Sequence, residues 1–367
     1  MFIFLGFTAI TNAQLVNQQQ NQERKIQVAI LFDTSGSMNG LLNQAKSRIW
    51  NIVNTLTTFK YNGQTPVFEF ALYDYGNSTI SAEKQYVRCI SPLTTDLDDI
   101  SAKLFGLTTN GGEEYCAAVI QTALEELKWS KDSRDMKLIY IAGNEPFNQG
   151  TIDYKKSLKN AIGQDVFVNT IYCGQYEQGV RELWYEGSEL GEGKYFNIDQ
   201  NEKIRFIETP YDDSIAALNT KLNRTYLGYG VEGKRKKAEQ EKQDENAMSV
   251  AAESSVERTM SKSSSAYVNT SWDLVDYSLS DPKALKDMND ADLPEELRGK
   301  TPEQKEKILA DKRNERAEIQ AQVARLGGKR QDYIDNELKN TAGEDDFGKA
   351  VAKSLIELGA KKNYFNN

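Results

Sequence analysis

The chain has 367 residues, 39% of them apolar and 27% charged, with 25 Gly and only 7 Pro; it has enough apolar material for a packed core and the wrong balance for a collagen-like or Pro/Gly-rich disordered chain. A mean hydropathy of −0.62 excludes a polytopic membrane protein, and a net charge of −9 gives no global electrostatic reason to seek nucleic acid or an anionic surface. The absence of His removes Ser-His-Asp and Cys-His nucleophile systems, His-ligated zinc and the commonest general base.

Residues 2–10, FIFLGFTAI, are an apolar run of signal-peptide length, too short to span a membrane, and Thr11-Asn12-Ala13 puts small residues at −3 and −1 of a cut before Gln14. Residues 1–13 therefore read as a signal peptide lacking its basic start, and the polar stretch 14–23 as a tether. The expectation is an exported protein, whether periplasmic, surface-bound or secreted, with no membrane span once the signal is removed.

From residue 24 to 230 strand-like and helix-like segments alternate. KIQVAILF (25–32) is a continuous apolar run. Leu42, Ala45, Ile49, Ile52, Val53 and Leu56 recur at helical spacing over 41–56. PVFEFALYDY (66–75) and the shorter QYVRCI (85–90) follow as strands. Asp96 caps a helix ending near Phe105, and Glu114 to Trp129 forms another. MKLIYIAG (136–143), a segment within 163–174 and GKYFNI (193–198) are three more strands. Helices are expected from Tyr176 to Leu190 and from Asp212 to Tyr226. Buried continuous strands alternating with amphipathic helices mean an α/β fold: a doubly wound, mostly parallel six-stranded sheet with helices on both faces. The short third strand, reached without a helix, is expected at an antiparallel edge.

After residue 230 the texture changes. Of residues 231–367, 51 of 137 are charged, against 48 of the 230 before them. The stretch 231–265 has few apolar anchors and reads as a charged linker or solvated helix, with 266–367 a helical C-terminal region. Thr301-Pro302-Glu303-Gln304 is a capping-box start. Ile319, Val323, Leu326, Ile334 and Leu338 then form a narrow apolar stripe interrupted by Gly327-Gly328, and Tyr267, Trp272 and Tyr277 offer an aromatic anchor.

Chemistry concentrates after the first strand, in Asp33-Thr34-Ser35-Gly36-Ser37-Met38. One carboxylate and two hydroxyls on a tight loop are hard oxygen donors suited to Mg²⁺, Mn²⁺ or Ca²⁺. VAILFDTSGSMNG, placed after an all-apolar strand and before a helix, resembles the first loop of the von Willebrand factor A family. The resemblance covers roughly residues 24–230. It implies a metal-ion-dependent adhesion site at the C-terminal edge of a doubly wound sheet, where topological switch points place ligands, and a coordination shell completed by a partner's carboxylate. Two positions depart from the family pattern: Glu113 stands after Gly111-Gly112 where the family has Thr, and Asn144 stands after the fourth strand where it has Asp. The expected ligand set is thus Asp33, Ser35, Ser37, Glu113 and Asn144. A bland reading stands beside it: Asp33 and the serines satisfy the first N–H groups of the next helix, and Glu113 and Glu114 favour a helix dipole. Asp74 reads as a turn residue.

Cys173 ends a parallel strand and Cys116 opens the helix after the glycine pair, so both belong at one sheet edge and are the expected disulfide, with Cys89 free at the opposite edge. Three separate buried thiols are the alternative. The function expected is a non-enzymatic protein-binding, adhesion or envelope-assembly module, divalent-cation dependent. Its competitor is a metal-free envelope scaffold whose charged extension makes the contacts, and a hydrolase using Asp33, Glu113 or Glu114 ranks below both.

Overall fold

The computed structural model describes residues 23–42, 44, 52, 55–56, 59–198, 207–281, 283, 285, 288–340 and 347–366. The expected signal peptide, almost all of the tether and most of the 41–56 helix lie outside them. The strands are β1 (Lys25–Asp33), β2 (Phe59–Tyr61), β3 (Val67–Tyr75), β4 (Val87–Thr94), β5 (Met136–Gly143), β6 (Phe167–Tyr172), β7 (Glu192–Asn197) and β8 (Tyr364–Asn366). Six of them form one sheet in the order β4-β3-β1-β5-β6-β7. All neighbours run parallel except β3 and β4. The antiparallel edge is thus where the sequence put it, and it runs on through Pro92, which an edge strand tolerates.

β1 lies in the middle of the sheet, which is why its apolar run is unbroken: both faces are covered. Ala29 and Leu31 point into one core layer and Val28, Ile30 and Phe32 into the other, the period-2 alternation of a pleated strand. The helices of this half are α1 (Leu97–Phe105), α2 (Cys116–Glu126), α3 (Tyr154–Gly163), α4 (Tyr176–Arg181), α5 (Trp184–Leu190) and α6 (Asp212–Asn223). Asp96 caps α1 as expected, accepting from the Asp99 N–H at 3.0 Å. The single helix expected over 176–190 is two, because Leu183 takes a left-handed φ of 69° between them. The sequence reading passed over α3, whose buried face includes small Ser157 and Ala161.

Five further helices follow: α7 (Gly230–Val250), α8 (Ala252–Lys262), α9 (Leu274–Ser280), α10 (Pro302–Asn340) and α11 (Phe347–Lys361). The stretch 231–265 is not a loose linker, and it is only partly solvated. Its charges turn inward. The Arg258 guanidinium donates to Asp98 and to Asp244, each at 2.7 Å. The fully buried Lys262 ammonium donates to Asp244 at 2.8 Å and to Asn219 at 2.9 Å. Gln240 donates to the Tyr267 hydroxyl at 2.9 Å, and that hydroxyl donates to Asp98. Composition alone makes this segment look solvated; the partners are Asp244 of α7 itself and residues of α1 and α6, far away in sequence.

The C-terminal region continues the same apolar layer. Val256, Tyr267, Trp272, Ile319, Val323, Val351, Leu355 and Tyr364 share one cluster with Val28, Ile30 and Phe32 of β1. Tyr267 and Trp272 do anchor the extension, packing their rings on Tyr226 at 6.0 and 5.8 Å. α10 opens with the expected reciprocal cap: Gln304 N–H to Thr301 Oγ1 at 3.3 Å, and Thr301 N–H to Gln304 Oε1 at 3.0 Å. It runs unbroken through Gly327-Gly328. A Cβ at Gly327 would lie 2.9 Å from Met260 Cε of α8, so this glycine marks close helix contact where an interruption was expected. Arg316 of α10 donates to Asp273 at 2.7 Å and Asp276 at 2.6 Å, with its guanidinium 4.0 Å above the Tyr226 ring. At the end of the chain β8 pairs antiparallel with β2. No helix among the described residues is long and apolar enough to cross a membrane.

Candidate metal centre at the upper sheet edge

The C-terminal ends of the parallel strands make the upper edge, and β1 delivers Asp33 there fully buried. The Ser35 N–H donates to Asp33 Oδ1 at 2.7 Å, while the buried Oδ2 has no hydrogen-bond partner. The Ser35 and Ser37 hydroxyl oxygens stand 2.8 Å apart, and Ser37 donates to Asn144 Oδ1 at 3.0 Å. Asn144 lies just beyond the end of β5. Thr34 points the other way: its N–H donates to the Tyr75 carbonyl at 2.9 Å, and its own carbonyl accepts from Asn110 N–H at 2.9 Å. The loop is thus pinned on both sides while its serines stay at the site. Ser35 precedes the short turn Gly36–Met38 and makes no side-chain cap to it.

The loop before α2 crosses the turn that follows β3. A Cβ at Gly112 would collide with the Gly76 carbonyl, so only glycine lets the two turns touch. That crossing carries Glu114 inward and leaves Glu113 exposed. A Cβ placed at Gly76 would lie 2.9 Å from Glu114 Cγ and 3.0 Å from Asp33 Oδ1, so the two carboxylates converge over this one bare backbone position. The Ser35 side chain stands beside both of them and favours the ionised form of each. Burial pushes Asp33 up to about 6 against the pull of the Ser35 N–H. Burial, then the charges of Asp33 and Glu145, push Glu114 up to about 7. Among the described residues no three acidic or Cys side chains form a ready-made cage, so a cation here would depend on the hydroxyl oxygens as well. The donor set is all oxygen, with one buried carboxylate oxygen left over, and it fits a hard divalent cation.

Residues 27–209 match the von Willebrand factor type A domain. Through this segment the chain belongs to the von Willebrand factor type A family. No curated protein matches the chain. Among solved structures, the SpRpn10 A-type domain is 15% identical, covering 49% of this chain and 90% of its own, with a TM-score of 0.38. BatB from Bacteroides thetaiotaomicron is 16% identical over 47% of this chain and 90% of its own, TM-score 0.35. Proximal thread matrix protein 1 from the mussel byssus, solved with zinc in its metal-ion-dependent adhesion site, is 13% identical over 49% of this chain and 42% of its own, TM-score 0.35.

In this A-type domain Asp33, Ser35, Ser37 and Asn144 come together as the sequence anticipated. Glu113 is exposed, and Glu114 is the carboxylate that lies buried beside them. Counting from the glycine pair picked the first residue; the turn uses one more before α2 begins at Cys116, a register only the helix start reveals. Asp74 is no turn residue: it sits in β3 and accepts from Arg88 Nε at 3.0 Å. The expected Cys116–Cys173 bridge is not formed, and all three cysteines are free. Both buried thiols lie near the upper edge, but Cys116 belongs to the core layer of Ala29 and Cys173 to that of Val28, on opposite faces of the sheet. Shared edge was the right inference and shared face the missing one. Burial raises both thiols above their usual range. Cys89 sits near the start of β4 opposite Tyr73, exposed, and so toward the upper edge and not away from it.

Proposed function

We propose that this protein is a non-enzymatic recognition module that holds a divalent cation at Asp33, Ser35 and Ser37, with Glu114 and Asn144 beside it, and that engages a protein partner at the upper edge of its sheet. A-type domains as a family mediate protein–protein interaction and adhesion, and some hold a metal at this edge. The observation that carries the reading here is the buried Asp33 Oδ2 with no hydrogen-bond donor, because a buried acceptor left unmet is costly unless something else meets it. Mg²⁺, Mn²⁺ or Ca²⁺ would supply that partner and an open coordination position at the surface. The leading run 2–10 and the tether after it support export, with the module working in the envelope, at the surface or outside the cell. The scaffold alternative, with the charged extension making the contacts, is weakened by Arg258, Lys262, Arg316 and Arg330, whose charges are all engaged within the molecule.

Calorimetric titration of the full chain with Mg²⁺ and Mn²⁺ tests this. Saturable binding that Asp33→Ala abolishes, with the fold retained, is expected. An unchanged isotherm for that variant removes the assignment. Capture of a partner from native envelope material should then weaken with chelator.

A further inference from the structure

Resting on that cation site, we infer that Glu114 completes it from within, so that a bound dication is already met by two of the protein's own carboxylates. The group it accepts from a partner is then a neutral oxygen, such as an amide carbonyl or a hydroxyl, and not a carboxylate.

Three observations place Glu114 there. Its side chain is buried to 8% exposure although it is a carboxylate in a loop. It converges with Asp33 over the bare backbone of Gly76. Like Asp33, it lies beside the Ser35 side chain. An independent observation marks Asp33 itself as unsatisfied: its Oδ2 is buried and unpartnered, on the side of the carboxylate that faces Gly143.

The charge balance decides the partner's chemistry. A dication held by Asp33 and neutral hydroxyls keeps one net positive charge, which draws in a carboxylate. With Glu114 added the net charge falls to zero, and Glu145, close enough to disfavour the ionised forms of both Asp33 and Glu114, adds a further negative field. An incoming carboxylate then meets no attraction and some repulsion. A neutral oxygen donor escapes that penalty.

Mn²⁺ binding to the purified full chain, followed through water-proton relaxation, tests this with acetate as the carboxylate probe. Glu114→Gln, isosteric and one charge lighter, should weaken Mn²⁺ by about tenfold or more, on the scale of losing an important group at a metal site. Glu113→Gln makes the same charge change one residue away and should stay within about twofold, as expected of an exposed charge. Acetate should leave the relaxivity of the wild-type complex unchanged and should displace water from Mn²⁺ bound to Glu114→Ala. Equal effects of the two Gln variants, or acetate entering the wild-type complex, would overturn the role of Glu114 and leave the cation site standing. No Mn²⁺ binding by the wild-type chain would overturn the site itself and this inference with it.

Discussion

Beneath α8 the chain buries Arg258 and Lys262 with their charges answered by Asp98, Asp244, Asn219 and Asn223. At the end of β1 it buries Asp33 with one oxygen answered and the other left bare. The two regions contain the same kind of expensive group and treat it in opposite ways. Buried charges that are fully paired hold one arrangement in place, and breaking them by removing one partner is severe. A buried charge left half-paired is a local instability that persists when the surroundings over-determine it, and such groups gather at binding sites. The extension is therefore read as structure, and the upper edge as function.

The sharpest way to break that comparison is to cut the extension away. A fragment of residues 24–230 loses the inner partners of Asp98, Asn219 and Asn223, together with the apolar cover supplied by Val256, Tyr267, Trp272, Ile319 and Val323. It should show no cooperative thermal transition. A fragment that melts as sharply as the full chain would make the extension an accessory. Next in size is Arg258→Ala, which takes the guanidinium from Asp98 and Asp244, leaving them Tyr267 and Lys262, and should cost about 3–5 kcal/mol in denaturant unfolding. A loss below about 1 kcal/mol, the scale of an exposed ion pair, would mean that the pair is effectively solvated.

The acid limb sharpens the same point. Burial opposes the charge on Asp244, but Lys262 and Arg258 outweigh it and hold the carboxyl down at about 2. Its folded value lies below its unfolded value, so its contribution is fully present above about pH 4 and disappears as pH falls through 2. The depression corresponds to about 2 kcal/mol. Asp244→Asn should flatten the stability–pH profile in that window. An unchanged acid limb would contradict the pairing.

What the sequence could and could not disclose follows from where the partners are. β1 was readable because a central parallel strand is apolar at nearly every position. The antiparallel placement of β4 was readable because no helix separates it from β3. The role of α7 and α8 was not, since Arg258 finds Asp98 across 160 positions of chain, and a charge pattern carries no mark of such a partner. α3 escaped because Ser157 and Ala161 on its buried face do not announce a core. At the site, Asp33, Ser35 and Ser37 were readable as one compact loop motif. The choice between Glu113 and Glu114 was set by one residue of turn geometry, where Gly112 crosses Gly76.

The most direct test of the comparison is thermal unfolding of the wild-type chain and Asp33→Asn, each in chelator and in saturating Mn²⁺. In chelator the variant should melt above wild type, because the amide removes a buried charge lacking a full set of partners. In Mn²⁺ the wild type should rise, since a ligand of the folded state stabilises it by mass action, and the variant should not move. Both proteins rising equally, or neither responding to the cation, would contradict the account.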